Sequence, residues 1–204
     1  WVEHLLADER SSDYLAERFA RALVGVENGP FLVYRRRRFV NWLADQLAMN
    51  RPYDEIVREM ISSDGLWTDR PGTNFVTVAM RPDAKQRLDA AQLATRTARV
   101  LLGVRLDCAQ CHDHPFARWR QTDFDGLAAF YSEAQTSLVG LHDRPDASVT
   151  GKMAADAEAI AEPMVPFATD LLPQQGDRRE RLAAWVTHAE NEAFARATAN
   201  RMWT

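Results

Sequence analysis

Residues 86–103, QRLDAAQLATRTARVLLG, decide the fold class. Alanine, leucine, arginine and glutamine lose little side-chain freedom in a helix, so an alanine-rich run of them favours one. Gly103 stands in the C′ place, where a left-handed residue closes a helix. This run predicts the strongest helix of the chain.

The flanks read the same way. In DYLAERFARALV (13–24), Leu15, Phe19, Ala22 and Leu23 share one face. In RRRRFVNWLADQLAMN (35–50), Phe39, Trp42, Leu43, Gln46 and Leu47 follow an i, i+3, i+4, i+7, i+8 order, with the helix ending near Asn50 before Pro52. YDEIVREMISSDG (53–65) turns Ile56, Val57, Met60 and Ile61 inward, and Gly65 follows its end. Residues 66–86 hold Pro71, Gly72 and Pro82 and read as a loop. Within it NFVTVAM (74–80) reads as one short strand or a buried extended segment. TDFDGLAAFYSEA (122–134) opens a helix at Thr122, with Asp125 as a capping-box carboxylate and Leu127, Phe130 and Tyr131 toward the core.

Residues 136–176 are punctuated by proline and glycine and too long for an ordinary loop. They read as a connector with a short alanine-rich helical turn near 153–161. From Asp177 the chain turns helical again, in RRERLAAWVTH (178–188) and NEAFARATANRMW (191–203). The prediction is a mainly α fold: an irregular helical domain over 1–135, a connector over 136–176, and the first helices of a second domain over 177–204. The chain opens on Trp1 inside an apolar pattern and stops at Thr204 just after a helical run, so it reads as a segment of a longer protein.

Composition narrows the function. Of 204 residues, 46% are hydrophobic and 26% charged, which predicts a packed fold rather than disorder. A net charge of −4 with no basic face argues against a nucleic-acid partner. No apolar run approaches the ~20 residues that span a bilayer. Nucleotide-binding glycine loops, nucleophile elbows and H-E-x-x-H are all missing from the sequence, and no acid, base or nucleophile set stands out, so an activity of its own is left open.

The chemistry concentrates in CAQCHDHPF (108–116), which holds both cysteines of the chain and two of its five histidines. C-x-x-C-H is the attachment signature of c-type haem. Two thiols add to the two porphyrin vinyl groups, so they must lie close along the chain. The histidine directly after the second cysteine then reaches the iron. On this reading Cys108 and Cys111 form thioethers and His112 binds iron. Two other readings stand beside it. Cys108, Cys111, His112 and His114 are also good ligands for zinc or another non-haem metal, and the cysteines alone suit a disulfide. His114, held extended by Pro115, reads either as a metal ligand or as a histidine hydrogen-bonded in its turn. Met60, Met80, Met153, Met164, His142 and His188 are the candidate distal ligands, although methionine more often fills cores. Trp119, flanked by Arg118 and Arg120, suits a haem edge; equally, Trp119 and Phe116 pack on the 87–102 helix while the arginines stay solvated. Arg35 to Arg38 read as a solvated face, and Asp113, Asp123 and Asp125 as turn and cap residues.

A family resemblance follows from these residues. LLGVRLDCAQCHDHPFARWRQTDFDGLAAFY (101–131) resembles the signature block of planctomycete cytochrome-associated (PSCyt-type) domains of unknown function. NRPYDEIVREMISSDG (50–65) is similar to a second segment of that family. Residues 178–203 resemble the opening of the PSD-type domain that usually follows. Cys108, Cys111, His112, His114, Pro115, Phe116 and Trp119 match the motif, whereas Ala117 stands where the family usually has aspartate. The resemblance implies an exported protein of the bacterial periplasm or cell surface, often with a separate haem domain. Two functions are carried forward. One is electron transfer through haem c at Cys108, Cys111 and His112, with a redox protein or neighbouring domains of the same chain as partner. The alternative is a non-enzymatic structural or binding module whose Cys/His cluster holds zinc through His112 and His114, or forms a disulfide with no cofactor.

Overall fold

The alanine-rich run folds as a helix of two kinds. The Asp89 carboxylate accepts from the Gln92 N–H at 3.0 Å and starts α6 (Ala90–Arg96) there. The chain then widens into a π-helical stretch over Thr97–Leu101. Gly103 closes it at φ +66°, as its C′ place predicts, and the Val104 N–H returns to the Ala98 carbonyl at 2.9 Å. This is a computed structural model, and it describes residues 1–6, 8–26, 34–81, 88–144 and 161–203.

Around this helix the chain is mainly α. Before it come α1 (Val2–Leu6), α2 (Glu9–Leu23), α3 (Arg36–Ala48) and α4 (Tyr53–Ser62). The predicted faces are buried where periodicity put them: Phe19 and Leu23 on α2, Phe39 and Leu43 on α3, and Ile56, Val57, Met60 and Ile61 on α4. α2 packs on α3, and α6 packs on α7 (Gln121–Ala129). Leu127, Phe130 and Tyr131 face the core as expected.

Two local expectations need correction. NFVTVAM is neither strand nor extended. Pro71–Thr73 form a 3₁₀ turn that runs into the one-turn α5 (Asn74–Thr77). Polar side chains wind it: Thr73 Oγ1 donates to the Arg70 carbonyl and Asn74 Nδ2 to the Pro71 carbonyl, both at 2.8 Å. The Asn74 amide oxygen also accepts from the Arg35 N–H at 2.6 Å, tying α5 to the start of α3. At α7 the box carboxylate is Asp123, not Asp125, because the helix starts one residue before Thr122 and Asp123 reaches back to the Arg120 N–H at 2.8 Å.

The expected connector begins as a hairpin. β1 (Ala134–Ser137) pairs antiparallel with β2 (Gly140–Asp143), with Ala134 opposite Asp143. Gly140, at φ +101°, lies so close to Gly65 that a Cβ there would meet Gly65 backbone at 2.2 Å. That approach lets Gly65 and Leu141 exchange two backbone hydrogen bonds, docking the hairpin on the chain after α4. The helical turn expected near 153–161 falls mostly outside the described residues. From 161 the chain runs as a strap across α7: Val165 is buried and the Met164 N–H donates to the Gly126 carbonyl at 3.1 Å.

α8 (Arg178–Val186) and α9 (Glu192–Trp203) follow. Leu182, Ala183, Trp185 and Val186 are fully buried in the same core as α2–α7, and α8 packs along α4. Arg179 is fully buried. It is paired with Asp143 at 2.8 Å and with Asp64, and it donates to the carbonyls of Ile61 and Ser63. Burial works against its charge, but the hydrogen bond and charge of Asp143 and the charge of Asp64 outweigh it, so its pKa is raised. Among the described residues no helix is long and apolar enough to cross a membrane.

Candidate functional site

The stretch after α6 is anchored by two apolar side chains. Leu106 and Ala109 are fully buried, and the 3₁₀ turn Asp107–Gln110 packs against α7. With Ala109 inside, Cys108 and Cys111 fall outside: both are exposed free thiols. Arg99, on the π stretch, holds Asp107 at 2.5 Å and pins the turn from the other side. That eight-residue pair crosses a helix end, so no periodicity in the sequence marks it.

Past Cys111 the chain makes a closed loop. The His114 N–H donates to the Trp119 carbonyl at 2.8 Å, and the Asp113 carboxylate accepts from the Gln121 N–H at 2.9 Å. Asp113 and Asp123 therefore act as loop and cap residues, as their sequence context suggests.

The two histidines are held in opposite senses. His112 is exposed, and its Nδ1 lies 2.8 Å from the Asp113 carbonyl. A carbonyl only accepts, so Nδ1 carries the proton and Nε2 keeps its lone pair. His114 Nδ1 instead accepts from the N–H groups of Phe116 and Ala117 at 3.1 and 3.0 Å. Its lone pair is spent inside the loop and its proton sits on Nε2. Ala117, the departure from the family pattern, has an exposed side chain and takes part through its backbone N–H.

Trp119 and Phe116 part company. Trp119 is half-buried on the core and meets Phe167 of the strap at 6.2 Å between ring centroids, with the Arg118 guanidinium over its ring at 4.9 Å. Phe167 in turn packs on Trp185 at 5.1 Å. Phe116, expected to pack on the 87–102 helix, is 95% exposed, because the His114-centred turn points it outward.

The candidate distal ligands are spread through the fold. Met60 is buried within the α4 face of the core. Met80 is half-buried at an isolated bridge to Leu88. Met164 lies against Gly126 of α7. His142 is half-buried in β2, and His188 accepts from the Glu190 N–H beyond α8. Met153 lies outside the described residues. Among the described residues no three His, Cys, Asp or Glu side chains are grouped to hold a metal ion. Of the arginine run, Arg36 pairs with Glu17 at 2.8 Å, and Arg37 and Arg38 are exposed.

Asp125 on α7, like Asp107 on the cysteine turn, has a carboxyl oxygen in an unusual environment. Its Oδ1 is buried without a hydrogen-bond partner, and burial pushes its pKa up. It sits on α7, the helix that carries the Cys108 turn.

Comparison with known proteins gives one match. No curated protein and no solved structure matches the chain. A family model described as PSCyt2, protein of unknown function (DUF1549), matches residues 1–136, which take in α1–α7 and the whole cysteine–histidine loop. The chain therefore belongs to this planctomycete-type family of cytochrome-associated domains.

Proposed function

We propose that this chain is an extracytoplasmic electron-transfer module that carries haem covalently on Cys108 and Cys111, with His112 as the iron ligand. The observation that carries the reading is the state of His112. Its Nδ1–H is directed at the Asp113 carbonyl, which leaves the Nε2 lone pair free on an exposed ring that directly follows the second of two free thiols in the chain. Ligating histidines ordinarily have their other ring nitrogen bonded to a carbonyl or carboxylate in this way. The thiols are reduced and accessible, as thioether formation requires, and the buried Ala109 between them keeps both on the outer side of one turn.

The haem would supply one-electron chemistry. The rest is done by this chain's residues. Leu106 and Ala109 fix the turn to the core, and Arg99 holds Asp107. His114, through the Phe116 and Ala117 N–H groups, keeps the following loop closed. Family membership supports the bacterial envelope as the setting, with neighbouring domains or a redox protein as the electron partner.

The test is expression in a host that matures c-type cytochromes, with visible spectra, intact mass and metal content measured together. Covalent haem on the wild type, lost in Cys108→Ala and Cys111→Ala, is expected. His112→Ala keeps attached haem at least in part and loses the low-spin spectrum; His114→Ala leaves that spectrum largely unchanged. Wild-type protein that matures colourless, with one zinc per chain or with a Cys108–Cys111 disulfide, overturns the proposal in favour of a structural module.

A further inference from the structure

The β1–β2 hairpin ends in a tip whose composition the fold does not require. Leu138 and Val139 occupy its two turn positions and are 99% and 73% exposed. Two-residue hairpin turns favour asparagine, aspartate and glycine, and two large aliphatic residues there leave apolar surface bare. The tip is held in place: the Val139 N–H donates to Ser137 Oγ at 3.2 Å, and the strand behind it is seated on Gly65 by the paired backbone bonds of Leu141. That seat brings up a third exposed aliphatic residue, Leu66, whose backbone nitrogen is 2.6 Å from where a Cβ on Gly140 would stand.

Cations gather on the same side. Trp67, Thr73 and Thr77 line one small cavity together with Ser137 and Gly140 of the hairpin. The Arg35 guanidinium lies over the Trp67 ring at 5.3 Å, and the Arg35 N–H is held by Asn74 of α5. Arg38 comes three residues later and Trp42 four after that, which puts them on one flank of α3 with Arg35. Trp42 marks where that flank faces, since its ring is 3.4 Å from a Cβ built on Gly72. Arg36 turns the other way, to Glu17. Arg37 and Arg38 are exposed and have no ion pair among the described residues. α3 has neither an acidic residue in its first turn nor a side-chain cap, so the arginines add to the positive end of its dipole instead of offsetting it. The acids close by are already balanced: Asp64 is bonded to Arg179, and Asp69 adjoins Arg70.

We propose that this face docks on an anionic lipid surface, with Leu138 and Val139 entering the headgroup–acyl boundary and Arg35 and Arg38 meeting the lipid phosphates. Apolar area buried at that boundary and attraction to acidic lipids are the two contributions that hold a protein on a membrane surface without spanning it. The shape favours lipid over protein. The tip is convex and aliphatic and lacks the aromatic anchor that dominates protein interfaces. A second copy would have to offer it an apolar receptacle, and the groove of about 460 Å³ beside α4 is lined instead by charged groups, Glu55, Arg58, Glu59 and Arg70 among them. The face contains neither cysteine nor histidine of the 108–116 loop, so it stands independently of the haem proposal.

Co-sedimentation with vesicles tests this, using neutral phosphatidylcholine against phosphatidylcholine with about 30% phosphatidylglycerol. The wild type pellets with the anionic vesicles, and its partitioning falls as added salt shortens the Debye length. The pair Leu138→Ser, Val139→Ser lowers partitioning at least about tenfold, because the apolar area is gone. Arg38→Gln lowers it about fivefold, the share of one cation near an acidic surface. Both keep the wild-type unfolding midpoint, since the side chains removed are exposed. Leu138→Trp binds at least as tightly as the wild type, because tryptophan favours the membrane interface, and a misfolded variant would not reproduce that. A wild type that ignores anionic vesicles overturns the proposal, as does a serine pair that binds like the wild type or equal binding to neutral and anionic vesicles. A wild-type dimer in sedimentation equilibrium that the serine pair abolishes, with no vesicle binding, assigns the tip to a second copy and rejects the lipid surface.

Discussion

Replacing Arg179 by alanine tests what joins the C-terminal helices to the rest of the fold. The side chain is fully buried and makes four kinds of contact. It donates to Asp143 at 2.8 and 3.0 Å, to the Ser63 carbonyl at 2.8 Å, to the Ile61 carbonyl at 3.1 Å, and to Asp64. Asp64 is 56% exposed and can rehydrate, so its share is small. The Asp143 side chain is only 13% exposed and cannot. Arg179→Ala therefore strands one buried carboxylate and two carbonyls. Breaking a buried pair from one side costs about 3–5 kcal/mol, a large part of the ~5–15 kcal/mol that holds a typical domain. Urea unfolding followed by tryptophan fluorescence is the assay, since Trp185 lies on the same helix. The double variant Arg179→Met, Asp143→Leu should recover most of the loss, because a well-packed apolar pair needs no desolvation. A loss below ~1 kcal/mol in Arg179→Ala, or a double variant no more stable than that single one, refutes the reasoning.

Gly140→Ala should cost more than about 2 kcal/mol, because it adds a Cβ 2.2 Å from Gly65 backbone at φ +101°. Gly25→Ala, at φ +81° with nothing within 4 Å, should cost only ~1–2 kcal/mol, so near-equal urea midpoints would contradict the docking of the hairpin. Alkaline pH should unfold the protein through its buried phenols. Burial pushes Tyr34 and Tyr53 up to about 12, and Tyr131 is raised by the same cause. A raised folded value contributes stability that is complete below the unfolded value of ~10 and is lost as pH climbs through the folded value, by roughly 1.4 kcal/mol per pH unit for each phenol. Phenolate absorbance that rises fully before the circular dichroism changes would speak against this burial. Asp125→Asn should raise the unfolding midpoint at pH 7 and leave it unchanged near pH 3. Burial raises this carboxyl, so folding favours its protonated form and its charged form costs stability as pH rises; an identical shift at both pH values would contradict that sign.

How much of this was legible beforehand depended on whether a signal was local. α2, α3 and α4 are amphipathic over several turns, and their buried faces follow from spacing alone. NFVTVAM is only seven residues, rich in β-branched side chains, and its helical turn is decided by Thr73 and Asn74 bonding backward to the chain. The β1–β2 hairpin was not foreseen, because Leu138 and Val139 at its tip are apolar where a turn signal belongs, and its register is set by a glycine–glycine contact between residues 65 and 140. The π widening at Thr97 has no composition of its own. At the site, residue types and spacing named Cys108, Cys111, His112 and His114. The division between the two histidines was not legible, since it rests on which backbone group each ring meets.

The cysteine turn also has a support that its own segment does not contain. Trp119, whose carbonyl closes the loop on His114, rests on Phe167, and Phe167 rests on the fully buried Trp185, whose Nε1–H donates to the Ala168 carbonyl. Ala168 itself sits at a left-handed φ of +45°, a conformation that a non-glycine residue keeps only when its surroundings hold it. Strap and α8 therefore brace one another, and together they back the loop. The family match ends at residue 136, before either of them. A chain cut there would keep both thiols and both histidines but lose the surface against which Trp119 is set, and with it five fully buried residues of α8. Cofactor loading measured on such a fragment would report on a loop without its backing, so the stretch matched by the family and the folding unit that holds the loop in shape are different lengths of chain.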